Sequence, residues 1–97
     1  MRIEILDQAE DDLIEGFRFY ESQQSGLGSY FLINLYEDIE SLSLHGGRHR
    51  KVYMEYHRLL SRRFPFAVFY KVVEDTVFVH AVLDCRRDPA WIRKRLK

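Results

Sequence analysis

Along this chain the spacing of apolar residues switches between the two-residue repeat of a strand and the three-to-four-residue repeat of a helix. Ile3 and Ile5 alternate with Arg2 and Glu4, which predicts a short strand ending at Leu6. From Asp7 the spacing lengthens: Ala9, Leu13, Gly16 or Phe17, and Tyr20 form one stripe, while Glu10, Asp11, Glu15 and Arg18 face water. Asp7 followed by Glu10 is an acidic form of a capping box and places the helix start there. Gln23-Gln24-Ser25-Gly26 ends the helix, with Gly26 suited to the left-handed position. A second helix is predicted from Leu27-Gly28-Ser29 to about Leu44, with Phe31, Leu35, Ile39 and Leu42 as its stripe and Leu32 beside them. Two helices joined by so few residues must lie antiparallel. His45-Gly46-Gly47 stops the second, and Arg48 to Tyr53 reads as a basic loop.

The two-residue repeat returns from about Tyr56 to Arg63, and Pro65 marks the entry to a further strand. In Phe66 to Val73 the residues Phe66, Val68, Tyr70 and Val72 point one way and Ala67, Phe69 and Val73 the other, with Lys71 the exception. Thr76 to Leu83 repeats the pattern, Val77, Val79, Ala81 and Leu83 lying opposite Phe78, His80 and Val82. Strands apolar on both faces are usually central, and Glu74-Asp75 is a short polar turn between these two. This hairpin delivers Asp84-Cys85-Arg86-Arg87-Asp88 to one end of a sheet. Asp88-Pro89 then supplies an N-cap and a first-turn proline for a short helix through Trp91, Ile92 and Leu96. The order β-α-α-β-β-β with a short C-terminal helix predicts an α+β fold, a helical hairpin packed on one face of a small, mostly antiparallel sheet, its other face partly open.

Ninety-seven residues without linker, repeat or low-complexity run make a single domain, 1–97. No apolar run approaches the roughly 20 residues of a membrane span, and Met1-Arg2-Ile3-Glu4 lacks the apolar core of a signal peptide, so a cytoplasmic location is expected. The lone Cys85 has no internal partner and suits a reducing compartment. A net charge of zero conceals a division: residues 1–45 hold two basic and ten acidic side chains, residues 46–97 thirteen basic and five acidic. The second half could bind an anionic partner, or the two halves could neutralise each other within the fold.

His45, His49, His57 and His80 have no metal-ligand spacing, so neither a metal nor another cofactor is expected. His80 lies mid-strand and reads as a core or sheet-face residue. His57, among arginines, is the candidate acid or base. Asp84 should pair with Arg86 or Arg87 and hold the cluster, the alternative being a general base. Cys85 reads as a small filler at a strand end; beside two guanidinium groups it could instead carry a lowered pKa. Arg58, Arg62, Arg63, Arg86 and Arg87 with Trp91 could form a basic and aromatic target-binding patch, against the alternative of a solvated sheet face with Trp91 in the core. Clustering at one sheet edge would favour the patch.

Four local patterns in this order resemble the RelE/ParE superfamily, the small toxins of type II toxin–antitoxin, or plasmid stabilisation, modules. They are Tyr20-Glu21; Gly26-Leu27-Gly28 with Phe31; Arg62-Arg63-Phe64-Pro65-Phe66 leading into Val68-Phe69-Tyr70; and Ala81-Val82 followed by Arg86-Arg87-Asp88-Pro89 and Trp91. The resemblance implies one of two activities: messenger RNA cleavage on the ribosome, as in the RelE branch, or inhibition of DNA gyrase, as in the ParE branch. Cleavage needs a general base, a cation at the phosphate and a general acid. Against the RelE pattern, His57 and Arg58 stand on the first strand after the loop, apolar Ala67 replaces the second-strand arginine, and Arg86 and Arg87 remain while Trp91 replaces a tyrosine or histidine. The gaps favour the ParE-like branch, a non-enzymatic inhibitor of gyrase. A ribosome-dependent endoribonuclease using His57, Arg58, Arg86 and Arg87 is the alternative, and a non-toxic homologue serving as an interaction module the third. The resemblance also implies a cognate antitoxin laid across the groove between helices and sheet, drawn to exposed Phe17, Phe19, Tyr30 or Tyr36, with a homodimer or a hetero-oligomer with antitoxin as the assemblies it allows.

Overall fold

The structure is a computed structural model describing residues 1–97. In chain order its elements are β1 (Arg2–Ile5), α1 (Asp7–Gln23), α2 (Leu27–Glu40), the single turn α3 (Leu42–His45), β2 (Lys51–Tyr53), β3 (Tyr56–Leu60), β4 (Phe66–Val73), β5 (Thr76–Asp84) and α4 (Pro89–Leu96). The five strands form one sheet in the order β1-β5-β4-β3-β2. Only β1 and β5 run parallel; the other neighbours are antiparallel. No helix is long and apolar enough to cross a membrane. The α+β architecture, with a helical hairpin on one sheet face, is the one the apolar spacing predicts.

The main core lies between α1, α2 and the sheet. Ala9 and Leu13 of α1 and Phe31, Leu35, Ile39 and Leu42 of the α2–α3 segment meet Phe66, Val68, Tyr70, Val77, Val79 and Val82. The helices approach closely at Gly28, where an added Cβ would fall 2.7 Å from the carbonyl oxygen of Phe17, so this position admits only glycine without a backbone shift. Gly26, at φ 90°, makes the turn, and the Glu21 carboxylate accepts from the amides of Gly26 and Gly28. A second, smaller core lies across the sheet, where Leu96, Trp91 and Ile92 of α4 cover Ala67, Phe69, Ala81 and Leu83. The sheet face predicted to be partly open is thus roofed at one end by α4.

The structure departs from the sequence pattern at several boundaries. The segment assigned to a basic loop, Arg48 to Tyr53, ends in β2, which forms a hairpin with β3 through Met54 at φ 51°. β3 stops at Leu60 rather than Arg63, because Ser61 and Arg62 turn aside to bond Asp38. The second helix breaks at Ser41, whose hydroxyl donates to the Asp38 carbonyl at 2.6 Å, and resumes as α3. The α1 N-cap is Leu6, without a side-chain cap, so Asp7 and Glu10 act on the helix dipole and form no capping box. Gly16 takes the buried place offered to Gly16 or Phe17. In β5 the strict alternation fails: Phe69 pairs with Ala81 and Tyr70 with Val79, leaving His80 as the extra residue of a bulge. Beyond it the phase inverts, so Val82 faces the helices while Ala81 and Leu83 face α4.

Candidate functional site

β5 outruns β1, whose pairing ends at Ile5 opposite Val79. The edge of β5 past that point is served by a side chain: Asp12 Oδ2 of α1 accepts from the Val82 amide at 3.0 Å. The same carboxylate receives Arg95 of α4 in a two-pronged contact, Nη1 to Oδ1 and Nη2 to Oδ2, each at 2.9 Å. Burial pushes the Asp12 carboxyl above its ordinary range, although Arg95 and the Val82 amide pull it down. One buried acid therefore closes the sheet edge and straps α4 to the body. Asp88 caps α4 by accepting from the Ala90 amide at 3.0 Å, as Asp88-Pro89 predicts.

At the end of β5 the charged cluster takes shape. Arg86 grips Asp84 with two nitrogens at 3.0 and 2.7 Å, and that hydrogen bonding holds the Asp84 carboxyl below its usual range. Asp84 thus anchors Arg86, the arrangement the sequence suggests. Arg87 enters no ion pair; its guanidinium lies 3.9 Å from the Trp91 ring centre. Between α1 and α4 beside this pair is a cavity of about 310 Å³, bordered by Glu15, Phe19, Phe66, Leu83, Arg87 and Trp91, with Asp12–Arg95 behind. Desolvation pushes the Cys85 thiol up, against the pull of Arg58, so the arginines do not activate it.

The structure brings Arg87 against Trp91 and Arg86 against Asp84, and Arg58 lies close enough to pull on the Cys85 thiol. Arg58 lies opposite Phe69 on β3, on the sheet face shared with α4. Arg62 is committed to Asp38 at 3.1 Å, and Arg63 is exposed without an ion pair. His57 is 9% exposed, donates Nδ1–H to the His49 carbonyl at 2.6 Å and stacks on Tyr70. It pairs with Tyr70, four residues along β4 from Phe66, the partner of Asp84. That spacing is roughly 13 Å along the strand, so His57 does not reach Arg86 or Arg87. Ala67 is buried at 1% exposure. His80 sits at the bulge, edge-on to Tyr56, its pKa lowered by desolvation and by Lys71. Of the apolar residues suggested for docking, Phe19, Tyr30 and Tyr36 are exposed, and Phe17 is half-buried against Gly28.

Asp12, Arg95 and Asp38 were not singled out by the sequence patterns, though the signal exists. Asp12 stands three residues after Ala9 and four before Gly16, and Asp38 three after Leu35 and four before Leu42, each a carboxylate on a buried stripe.

The loop before β2 carries a pH-sensitive clip. The Tyr70 hydroxyl accepts from the Gly47 amide and lies 2.6 Å from His49 Nδ1, a hydrogen bond whose direction follows the His49 tautomer. Desolvation lowers the His49 pKa, helped by His57 and His45. The unfolded imidazole, titrating near 6.5, takes up protons first, so this residue's contribution is present above that pH and is lost as pH falls below it. Urea unfolding at pH 7 and pH 5.5 is expected to show lower stability at pH 5.5. His49→Gln should flatten that difference; an unchanged slope would mean His80, shifted in the same direction, carries it alone.

No protein-family model and no curated protein matches this sequence. Among solved structures, a chain of the chromosomal ParDE TA system from P. aeruginosa is similar at a TM-score of 0.72 and 16% identity, over 84% of this chain and 92% of that one. At this identity the likeness speaks to the fold alone, which this chain shares with a chain of that system.

Proposed function

We propose that this chain is the toxin of a type II toxin–antitoxin module and that it arrests growth by binding DNA gyrase, without bond chemistry of its own. The observation carrying the second half is His57: the candidate acid or base is buried, tied to a backbone carbonyl and stacked on Tyr70, away from Arg86 and Arg87. The RelE/ParE-like fold, shared with a chain of a ParDE TA system, supports the first half. Arg87 and Trp91, with Arg58 and Arg63, are the residues free to touch a target, while Arg86 and Arg62 serve Asp84 and Asp38. The partner is a cognate antitoxin, and the compartment of action is the cytoplasm.

Purified protein is expected to inhibit gyrase supercoiling at stoichiometric levels. Induced alone, it should stop thymidine incorporation within minutes while methionine incorporation continues. An immediate fall in methionine incorporation, abolished by His57→Ala in a folded protein, would replace this reading with ribosome-dependent messenger RNA cleavage. Harmless expression would identify an interaction module.

A further inference from the structure

We propose that the protein associates with further copies of itself head to tail, the acidic outer face of the helical hairpin of one copy seating on the basic β2 edge of the next. Neither surface includes Arg63, Arg87 or Trp91, so the proposal does not rest on the toxin reading.

The division of charge along the sequence becomes a division in space. Arg18 is the one basic side chain on α1 and α2, against nine acidic ones. Asp12 and Asp38 are buried and paired, and Glu21 serves the turn between the helices. Glu10, Asp11 and Glu40 are exposed and enter no ion pair. Exposed apolar side chains lie among them. Phe17 packs at Gly28 and Phe31 fills the notch of Gly16, so the antiparallel helices set Ile14 level with Ile33 and Glu10 level with Tyr36. Ile33, Tyr36 and Glu40 follow one another at three and four residues on a side of α2 turned away from buried Phe31 and Leu35. Ile14, Ile33 and Tyr36 are 46%, 58% and 41% exposed.

The complementary surface is the sheet edge at β2, the last strand in the order β1-β5-β4-β3-β2. Lys51 pairs with Glu55 at 2.6 Å, while Arg48 and Arg50 are exposed and enter no ion pair. Val52 and Met54 continue the edge, 39% and 65% exposed. Both surfaces thus set exposed apolar residues beside unpaired charges of one sign, and the two signs are opposite. A symmetric dimer would put the same surface of each copy together, acid on acid or base on base, so the contact must be heterologous. A nucleic acid on Arg48 and Arg50 would leave Ile14, Ile33 and Tyr36 uncovered, whereas a second copy covers both surfaces. Each docked copy presents one free surface, so association continues into a chain unless the rotation between copies closes a ring. Few apolar side chains and exposed charges carry the contact, which makes it weak and reversible.

Sedimentation velocity of the full-length protein tests this. The weight-average mass should climb past that of a dimer as concentration rises, and fall back toward the monomer in about 1 M salt, where the screening length is roughly 3 Å. Asp11→Lys with Glu40→Lys should weaken association about tenfold or more, because lysines then meet the arginines of the next copy. Arg48→Gln with Arg50→Gln should weaken it by removing the basic edge. Each double variant keeps one native surface, so an equimolar mixture of the two should form a one-to-one pair and stop there, since the surfaces left over no longer match. A mass that stays monomeric at every concentration, whether or not the protein binds an oligonucleotide through Arg48 and Arg50, would overturn the proposal. So would association indifferent to salt or to either double variant, or a mixture that fails to pair although both variants keep the parent's circular dichroism and thermal midpoint. The concentration and salt series use the unaltered chain and decide the matter even where a variant unfolds.

Discussion

Phe31→Ala is expected to leave the protein close to unfolded at growth temperature. Phe31 is 0% exposed and stands where both helices meet the sheet, its ring 5.2 Å from Tyr20, 5.1 Å from Phe64 and 4.9 Å from Phe66. Gly16 opposes it closely: a Cβ there would fall 2.5 Å from Phe31 Cζ, so the ring occupies the notch that glycine leaves in α1. Truncating a buried phenylalanine costs about 3–5 kcal/mol, and each aromatic pair lost adds a fraction more. A domain of this size holds about 5–15 kcal/mol in all. The thermal midpoint should fall by roughly 15–30 °C, followed by far-ultraviolet circular dichroism. Gly16→Ala alone should also destabilise by overpacking, yet cost almost nothing in the Phe31→Ala background, because the methyl enters the space the ring vacates. A midpoint shift under about 5 °C for Phe31→Ala would mean that the two helices are not keyed together through this ring.

Phe31 belongs to the part of the fold that is legible in the sequence, because it obeys a long and regular repeat. The stripe Phe31, Leu35, Ile39, Leu42 and the alternation Phe66, Val68, Tyr70, Val72 both survive in the structure, since burying one face is what forms either element. Where a local bond competes with the repeat, the pattern misleads. Ser41 breaks α2 with a back-bond that no hydrophobic spacing records. β2 contributes only Lys51–Tyr53 and lies at the sheet edge with Lys51 and Val52 exposed, so its sequence has no buried face to display. The bulge at His80 is harder still, because every residue from Val77 to Leu83 except His80 is apolar or aromatic, and such a run fits either phase. Of the candidate site, Asp84–Arg86 could be anticipated because the residues are two apart. Arg95 reaching Asp12 across 83 positions could not.

That long-range contact is the subject of the second expectation: Asp12→Ala should destabilise the protein by about 3 kcal/mol and free α4. The substitution strands two groups at once, the Val82 amide on the β5 edge and the Arg95 guanidinium. Removing one member of a buried pair costs about 3–5 kcal/mol, and the Arg95 side chain, 25% exposed, regains some water and keeps the figure at the low end. The two members respond in opposite senses: the pair pushes Arg95 further up, while for Asp12 the burial outweighs the help. Because the folded carboxyl holds its proton more readily than the unfolded one, Asp12 favours the fold at low pH and that contribution is lost as pH rises. The contact therefore adds less net stability than its geometry suggests, and its worth lies in position. A helix of eight residues is too short to persist alone, so α4 depends on Leu96, Ile92 and this strap. Hydrogen exchange in α4 should accelerate in Asp12→Ala more than in α1 or β4. Joint replacement, Asp12→Leu with Arg95→Met, should recover part of the loss but not all, since the Val82 amide stays without an acceptor. If α4 holds Arg87 and Trp91 in place for the target, growth arrest must weaken in Asp12→Ala at temperatures where the protein is still folded. Full arrest there, with α4 exchanging freely, would show that the target does not need the C-terminal helix docked.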